Sequence, residues 1–490
     1  MAKKKKNNDI VISFVGGSKD DVTGSCVLIS YPKKDDEKGL IAIECGLIQG
    51  EPTLEQEYNA NKRMIEKVPY KNIEHVFLGH CHIDHIGNLP IFNDDNGFKG
   101  QIIGSNTTIE IGKKLIIDSV KIHKENVDRM RTKGSKKTYL YTQPQAYQMF
   151  EHMVTKEIGI KHELNEYISY QFFNNSHVPG ATMIQFWIRK PNNTVKTIVY
   201  TSDIGSKHNL KLQNFVKETE FPTKANLWIT EGTYGESSRG FSYKEAIAER
   251  EEMKAKLKHY LMNGKRIFIP SFSFARTQNL MCMLYEWYKD EDWFNFPIVL
   301  DGKLLHEINQ VYTRVLDPDE IEYFEKVMKW HRFKYNKEWA STQVTLSVKT
   351  PGIYIATSGF LTAGRSVAYL KNFLGSTGDL MCFVGYAGGK DSVGDRVLNP
   401  DVKYIDVDGD KEKRCIKRCD IVRYKTFSSH IQQDELFNMW KQLRVEKIII
   451  HHASEKAREE LRVKGKEELL KVGLTTPIVP VSKCAEQFVL

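Results

Sequence analysis

The sequence predicts a layered α/β protein with a second, parallel-sheet domain inserted into the first. Two observations carry this reading. Short strands rich in Val and Ile alternate with helical segments, and His, Asp and Glu residues fall repeatedly where strands end. Between about residues 235 and 400 the rhythm becomes a regular β-α-β, whereas hairpins and isolated strands flank that block. A chain of 490 residues is also long for a single core. The expected domain bounds are therefore 1–235 and 401–490 for the outer domain, with 236–400 as the insertion.

Each element has its own signal. Ile10–Val15, Ser25–Tyr31 and Leu40–Glu44 read as strands closed by Gly or Lys-Asp turns. Leu54–Ile65 reads as a helix capped by Thr53. Glu74–Gly79 is a short apolar strand that leads into a histidine cluster. Asn106–Arg131 and Gln143–Thr155 are expected to be helical. Tyr167–Phe173, Thr182–Ile188, Thr197–Tyr200 and Asn226–Thr230 are expected strands. In the insertion, helices over Lys244–Met262 and Thr277–Tyr288 separate the strands Arg266–Pro270 and Pro297–Leu300, with Gly352–Ala356 and Asp379–Gly385 as two further strands. The strand Lys447–Ile450 and the charged helix Lys456–Leu470 close the outer domain.

Composition bounds the function. The chain is 41% hydrophobic and 27% charged, and no apolar run approaches the roughly 18–20 residues that span a bilayer, so no membrane partner is expected. The basic start Lys3–Lys6 lacks the apolar stretch of a secretory signal, and the eight cysteines are scattered, as reduced thiols are. A cytoplasmic location follows as the expectation. Cys415 and Cys419 have no second metal-binding pair nearby and read as structural thiols. The net charge of +9 is compatible with an anionic partner, though four of the positive charges sit in that leading lysine run.

The chemistry is concentrated in His80-Cys81-His82-Ile83-Asp84-His85. In extended chain His80 and His82 project to one side and can share a cation, while Asp84 and His85 can face a second one after a turn. Imidazoles with a carboxylate are the usual donors of zinc sites that keep a position open for water.

HCHIDHIG resembles the HxHxDH signature of the metallo-β-lactamase superfamily, and the order of the later segments is similar to its β-CASP branch of nucleic-acid-processing nucleases. The likeness runs from about residue 10 to 470, with bacterial RNA exonuclease-like members and the endonuclease of pre-mRNA 3′-end formation as the nearest relatives it suggests. It implies a metallo-β-lactamase αββα sandwich with an inserted β-CASP α/β cap domain. It further implies that His80, His82 and His177 bind one Zn²⁺, that Asp84, His85 and His452 bind a second, and that Asp203 bridges them; Mn²⁺ is the alternative metal. Glu231 and His430 correspond to an acid–imidazole pair over the scissile phosphate. Ser271, Ser273, Arg276, Ser358 and Gly359, on the loops of the insertion, would lie near substrate phosphate.

Two departures from the family pattern stand out. Glu44 occupies the place of a supporting Asp, and the last motif reads His452-Ala453-Ser454 where His-Gly-Glu is usual. His451 is therefore kept as an alternative ligand or a substrate contact. A histidine there is associated with RNA-acting members, so RNA is the expected partner and single-stranded DNA the alternative; a homodimer is compatible. In the implied mechanism two zinc ions activate water and clamp phosphoryl oxygens, Asp84 orients the nucleophile or takes its proton, and His430 protonates the leaving oxygen. The rivals are a DNA nuclease on the same scaffold, a silent nucleic-acid-binding subunit, and a small-molecule hydrolase. Ordinary readings also stand beside the functional ones: Arg276 and Arg365 as ion-pair partners, and Lys326–Tyr335 as an amphipathic segment instead of a strand-tracking surface.

Overall fold

The computed structural model describes residues 9–17, 22–51, 53–210, 212–389, 391–407, 414–482 and 486–490, so the Lys3–Lys6 run and Cys484 lie outside the described residues. The chain divides into two compact units. The first comprises Met1–Leu210, Val216–Gly240 and Ser429–Leu490; the second comprises Lys211–Phe215 and Phe241–Ser428.

The first unit is built from two seven-stranded sheets. In one, the strands run Glu486–Val489, Val11–Gly16, Cys26–Pro32, Lys38–Ile43, His75–Phe77, Gln101–Gly104 and Met153–Thr155. In the other the order is Ile478–Pro480, Arg444–Ile450, Lys224–Thr230, Val195–Tyr200, Thr182–Arg189, Ile168–Asn174 and Lys161–Glu163. Apolar side chains of alternating register from both sheets form one core, including Ile12, Phe14, Ile29 and Phe77 from the first and Phe172, Phe186, Ile198 and Ile449 from the second. Outside the second sheet, Gln433–Trp440 and Glu455–Leu470 bury Leu436, Trp440 and Leu461 against Val199, Trp228 and Ile448. On the other side, Leu54–Ile65 packs through Tyr58 onto Val127 and Met130 of the long helix Asn106–Thr132. This is the expected αββα sandwich. The last segment of the chain belongs to it because Arg444–Ile450 pairs in parallel with Lys224–Thr230, the strand that precedes the insertion.

The second unit holds a six-stranded sheet ordered Phe333–Asn336, Ile298–Asp301, Gly352–Ala356, Arg266–Pro270, Leu380–Val384 and Asp420–Tyr424, with every pairing parallel. The sheet explains the run of fully buried apolar strands in this region, since parallel strands are covered on both faces. It also moves the expected boundary at residue 400. Asp420–Tyr424 pairs with Leu380–Val384, which carries the inserted unit on to Ser428.

Other differences are local. The helix expected over 143–155 stops at Glu151, and Met153–Thr155 joins the sheet edge beside Gln101–Gly104. Lys326–Tyr335 closes the helix Pro318–Met328 and enters the strand Phe333–Asn336; Trp330 lies nearly parallel to Phe294 at 5.8 Å and edge-on to Phe333 at 5.3 Å. Those aromatics are packing residues. Cys415 and Cys419 are free thiols, as are the other described cysteines. Among the described residues no helix is long and apolar enough to cross a membrane.

Candidate metal centre

The ligand-type residues converge at one edge of the sandwich because strands of both sheets end there. Glu44 follows Lys38–Ile43, His80 follows His75–Phe77, His177 follows Ile168–Asn174, Asp203 follows Val195–Tyr200, Glu231 follows Lys224–Thr230, and His452 follows Arg444–Ile450. Asp84 and His85 sit on the single helical turn Ile83–Ile86, for which His82 is the extended N-cap. Backbone bonds pin that turn: Ser25 N–H donates to the Asp84 carbonyl at 2.8 Å and Cys45 N–H to that of His85 at 2.9 Å. Gly46 permits the approach, since a Cβ there would lie 1.6 Å from the Asp84 carbonyl oxygen. Glu44, Ser202 and His452 adopt positive φ angles of 61°, 52° and 53°, backbone strain of the kind that clusters at functional sites.

One group of donors comprises His80, His82, His177 and Asp203. His80 Nε2 lies 3.1 Å from His82 Nδ1, and His177 Nε2 lies 3.3 Å from that same atom. Asp203 Oδ2 stands 3.6 Å from both His80 Nε2 and His177 Nε2. Four donors at zinc–nitrogen bond lengths of about 2.0–2.1 Å in a tetrahedron are separated by about 3.3 Å. The observed spacings fit. Burial, reinforced by the neighbouring histidines, holds His80 and His177 well below the ordinary imidazole range, and burial lowers His82 to about 4. All three are therefore neutral at physiological pH, as metal donors must be.

A second group comprises Asp84, His85 and His452. His85 Nε2 is 3.3 Å from Asp203 Oδ2 and 3.9 Å from Asp84 Oδ2, and His452 Nε2 is 3.6 Å from Asp84 Oδ2. Asp203 thus touches both groups, its Oδ1 standing 3.3 Å from His452 Nδ1. His85 Nε2, His452 Nε2 and Asp203 Oδ1 are buried without a hydrogen-bond partner. Orphaned lone pairs of this kind carry a desolvation cost that a cation would offset. Burial opposes charge on His85, yet Glu44, Asp203 and Asp84 hold it well above its ordinary range: this half of the centre calls for positive charge. Burial likewise opposes charge on Asp84, but His85 and His452 keep its carboxyl at about 2.

Glu44 organises the donors without joining them. Its Oε2 accepts from Ser25 Oγ, Tyr200 OH and His85 Nδ1, each at 2.6 Å, and its Oε1 accepts from Ser202 Oγ at 2.7 Å. Ser202 has given its proton to Glu44, so it accepts from His80 Nδ1 at 3.0 Å. With both rings neutral, as they would be around a cation, the network would leave Nε2 of His80 and His85 as the lone-pair nitrogen, the orientation that a ligand histidine needs. The extra methylene of Glu44 relative to the usual Asp lets one carboxylate serve both rings.

Beside the donors, His430 Nδ1 faces both oxygens of Glu231 at 3.2 Å. Glu231 is itself fixed by the backbone N–H groups of Ile204 and Thr233, at 2.7 and 3.1 Å. The His430 backbone bridges to Gly205, its ring packs on His177 at 4.6 Å, and Tyr234 lies nearly parallel to it at 6.0 Å. Burial works against protonation, but Glu231 and Asp203 raise His430 to about 9. The side chains of His430 and Asp84 are 20% and 23% exposed, while those of His80, His85, His177, Asp203 and His452 are at most 4% exposed, so His430 and Asp84 mark the open side.

The structure separates the two adjacent histidines. His452 joins the donors, whereas the 1%-exposed His451 turns back into the sandwich, 5.0 Å from the Phe14 ring with its Nε2 3.3 Å from Ser25 Oγ. This placement takes His451 away from the donors that His452 joins, as successive residues at a strand end point to opposite faces. The expected phosphate contacts lie in the second unit, at the carboxyl ends of its parallel strands. Ser271 is 1% exposed and its Oγ accepts from Thr277 Oγ1 at 3.0 Å. Gly359 is buried against Phe272, while Ser273, Arg276 and Ser358 are partly exposed. Arg365 is a packing residue, bonded to Thr342 Oγ1 at 3.1 Å and stacked over Trp339. Sequence reasoning missed Ser25, Tyr200, Ser202 and Ser429, the last with its Oγ 3.3 Å from His177 Nδ1. Apart from Ser202, which abuts Asp203, no spacing distinguishes these hydroxyls.

Residues 277–396 match the Beta-Casp domain, and residues 417–477 match the Zn-dependent metallo-hydrolase RNA specificity domain. These two matches, with the relatives that follow, support the β-CASP family of metallo-β-lactamase-fold nucleases as the one this chain resembles. It is 27% identical over 468 residues to transcription termination factor FttA of Methanocaldococcus jannaschii, covering 91% of this chain and 67% of that protein. It is 23% identical over 454 residues to ribonuclease TTHA0252 of Thermus thermophilus, covering 90% and 93%. Integrator complex subunit 11 of Gallus gallus is 24% identical over 459 residues, covering 92% and 70%.

Proposed function

We propose that this β-CASP protein is a metal-dependent ribonuclease that hydrolyses phosphodiester bonds of single-stranded RNA. The observation that carries the proposal is the convergence of seven donor side chains from four separate segments, with buried lone pairs that no protein group satisfies. On this reading His80, His82 and His177 would hold one ion, Asp84, His85 and His452 another, and Asp203 would contact both; Zn²⁺ is the favoured metal and Mn²⁺ the alternative. Such a pair supplies Lewis-acid charge at the phosphoryl oxygens and lowers the pKa of water at neutral pH.

The protein's own groups supply the rest. Asp84, anionic and on the open side, orients the attacking water by accepting its hydrogen bond. His430, protonated at neutral pH and held through Nδ1 by Glu231, presents Nε2–H to the leaving oxygen as general acid. Glu231 keeps the ring charged and fixed in orientation. The RNA specificity match at residues 417–477 and the ribonuclease among the relatives support RNA over DNA. Turnover by the purified chain on matched single-stranded RNA and DNA tests this: RNA is expected to be cut and DNA of the same sequence spared. Equal rates on both strands would overturn the RNA assignment, and comparing end-labelled with circular RNA reports whether cleavage is internal or starts from an end.

A further inference from the structure

Three rings occupy consecutive loops at one edge of the parallel sheet in the second unit. Gly352–Ala356, Arg266–Pro270 and Leu380–Val384 are adjacent strands. The loop after each leaves one aromatic ring at least partly exposed: Phe360, Phe272 and Tyr386 respectively, the second loop's other ring, Phe274, being buried. Phe272 meets Phe360 edge-on at 4.8 Å and 82°, and Phe360 meets Tyr386 edge-on at 5.9 Å and 90°. Tyr386 is 48% exposed, and Phe272 and Phe360 are partly exposed. Core packing does not explain a row of rings left open to water.

The surroundings identify what would cover them. Arg276 donates to the Val384 carbonyl at 3.5 Å, and Arg423 Nε donates to the Gly385 carbonyl at 3.0 Å, so two guanidinium groups flank the turn that bears Tyr386. The loops close around the rings through glycine: a Cβ at Gly359 would lie 3.0 Å from the Phe272 ring, and Gly388, at φ 118°, faces Phe360. Carboxyl ends of parallel strands are the usual place for ligands in such sheets. Cations beside exposed rings suit a chain of phosphates carrying flat, apolar faces.

We propose that Phe272, Phe360 and Tyr386 form a stacking platform for consecutive bases of single-stranded RNA, with Arg276 and Arg423 attracting the backbone to the same edge. This rests on RNA being the substrate and adds how it is recognised. Every base has a π-face, so the platform is tolerant of sequence, but bases locked in a helix cannot splay onto it. The enzyme would therefore select for unpaired strands.

The test measures binding of the metal-loaded chain to a phosphorothioate, 2′-O-methyl single strand and to an equally long abasic strand. Phe360→Ala and Tyr386→Ala should each weaken binding to the base-bearing strand roughly tenfold, the worth of one stacked base, and leave the abasic strand unaffected. Tyr386→Phe should bind like the parent, and hydrolysis of bis-p-nitrophenyl phosphate should be unchanged in all three variants. Parental affinity for the base-bearing strand in both alanine variants would overturn the platform, as would an equal loss on the abasic strand. A shift to monomers in sedimentation without loss of base-dependent binding would assign the rings to contact between copies, also against the proposal. If the parent binds in a base-dependent manner yet hydrolyses neither RNA nor the small phosphodiester, the nuclease reading alone fails.

Discussion

Replacing Glu231 with Gln removes the charge that faces His430 and leaves one oxygen, so of the backbone N–H groups of Ile204 (on Oε1) and Thr233 (on Oε2) only one keeps its acceptor. His430 stands at about 9, against an ordinary imidazole value of about 6.5. The gap of about 2.5 pH units corresponds to on the order of 3 kcal/mol favouring the imidazolium. Glu231 is the largest of the groups lifting it, with Asp203 and Asp84 next, so the variant should lose between one unit and the whole gap. If His430 acts as general acid, kcat/KM falls as pH rises through its pKa, and the alkaline limb of the profile reports it. A parent limb near pH 9 should move to between about 8 and 6.5 in Glu231→Gln. At pH 8 the larger move takes the protonated fraction from about 0.9 to about 0.03, roughly a thirtyfold loss of rate. Stability follows the same sign. A raised folded-state pKa contributes stability that is fully present below about 6.5 and is lost as pH rises through about 9. The variant should therefore be less stable than the parent at pH 6, and the difference should shrink by pH 10. An alkaline limb at the same pH in both proteins would refute the coupling of Glu231 to His430.

Alanine at Asp203 or His82 should cut hydrolysis by on the order of 10³-fold or more while far-ultraviolet circular dichroism stays that of the parent. Turnover retained in both variants, with their metal content verified, would rule against the assignment of these donors. Glu44→Asp should not behave as a neutral exchange: shortening the side chain withdraws it from some of its four partners at 2.6–2.7 Å, and zinc affinity in a competition titration should fall roughly 10–100-fold. Unchanged affinity would mean that the network does not tune the centre. Gly46→Ala drives a Cβ into the Asp84 carbonyl and should destabilise the protein by about 1–3 kcal/mol in denaturant melts, with weakened metal binding. A parent-like melt and titration would show that the turn at 83–86 does not depend on that approach.

The sandwich, the insertion and the donors were legible because each leaves a pattern in the chain. Strands of period two, apolar parallel strands and a dense His/Asp run are local signals, and the family resemblance connected His80 to His177, Asp203 and His452 across more than 370 positions. What stayed hidden depends on contacts that spacing does not encode. Ser25, Tyr200 and Ser202 gather round Glu44 only because strands of the two sheets end side by side. His451 and His452 could not be ranked until the strand end fixed which face each occupies. Asp420–Tyr424, beyond the boundary expected at 400, is only five residues long, and its place is set by its partner Leu380–Val384. The Lys326–Tyr335 stretch shows the converse, a composition suited to nucleic acid that tertiary packing uses for Trp330 and Phe333.

Elemental analysis of the purified chain by mass spectrometry, run beside His82→Ala and His452→Ala, bears most directly on whether these side chains cage a pair of cations. The parent should carry two equivalents of zinc or manganese, and each variant should keep about one. Less than one equivalent in the parent, or a full complement in both variants, would contradict the account.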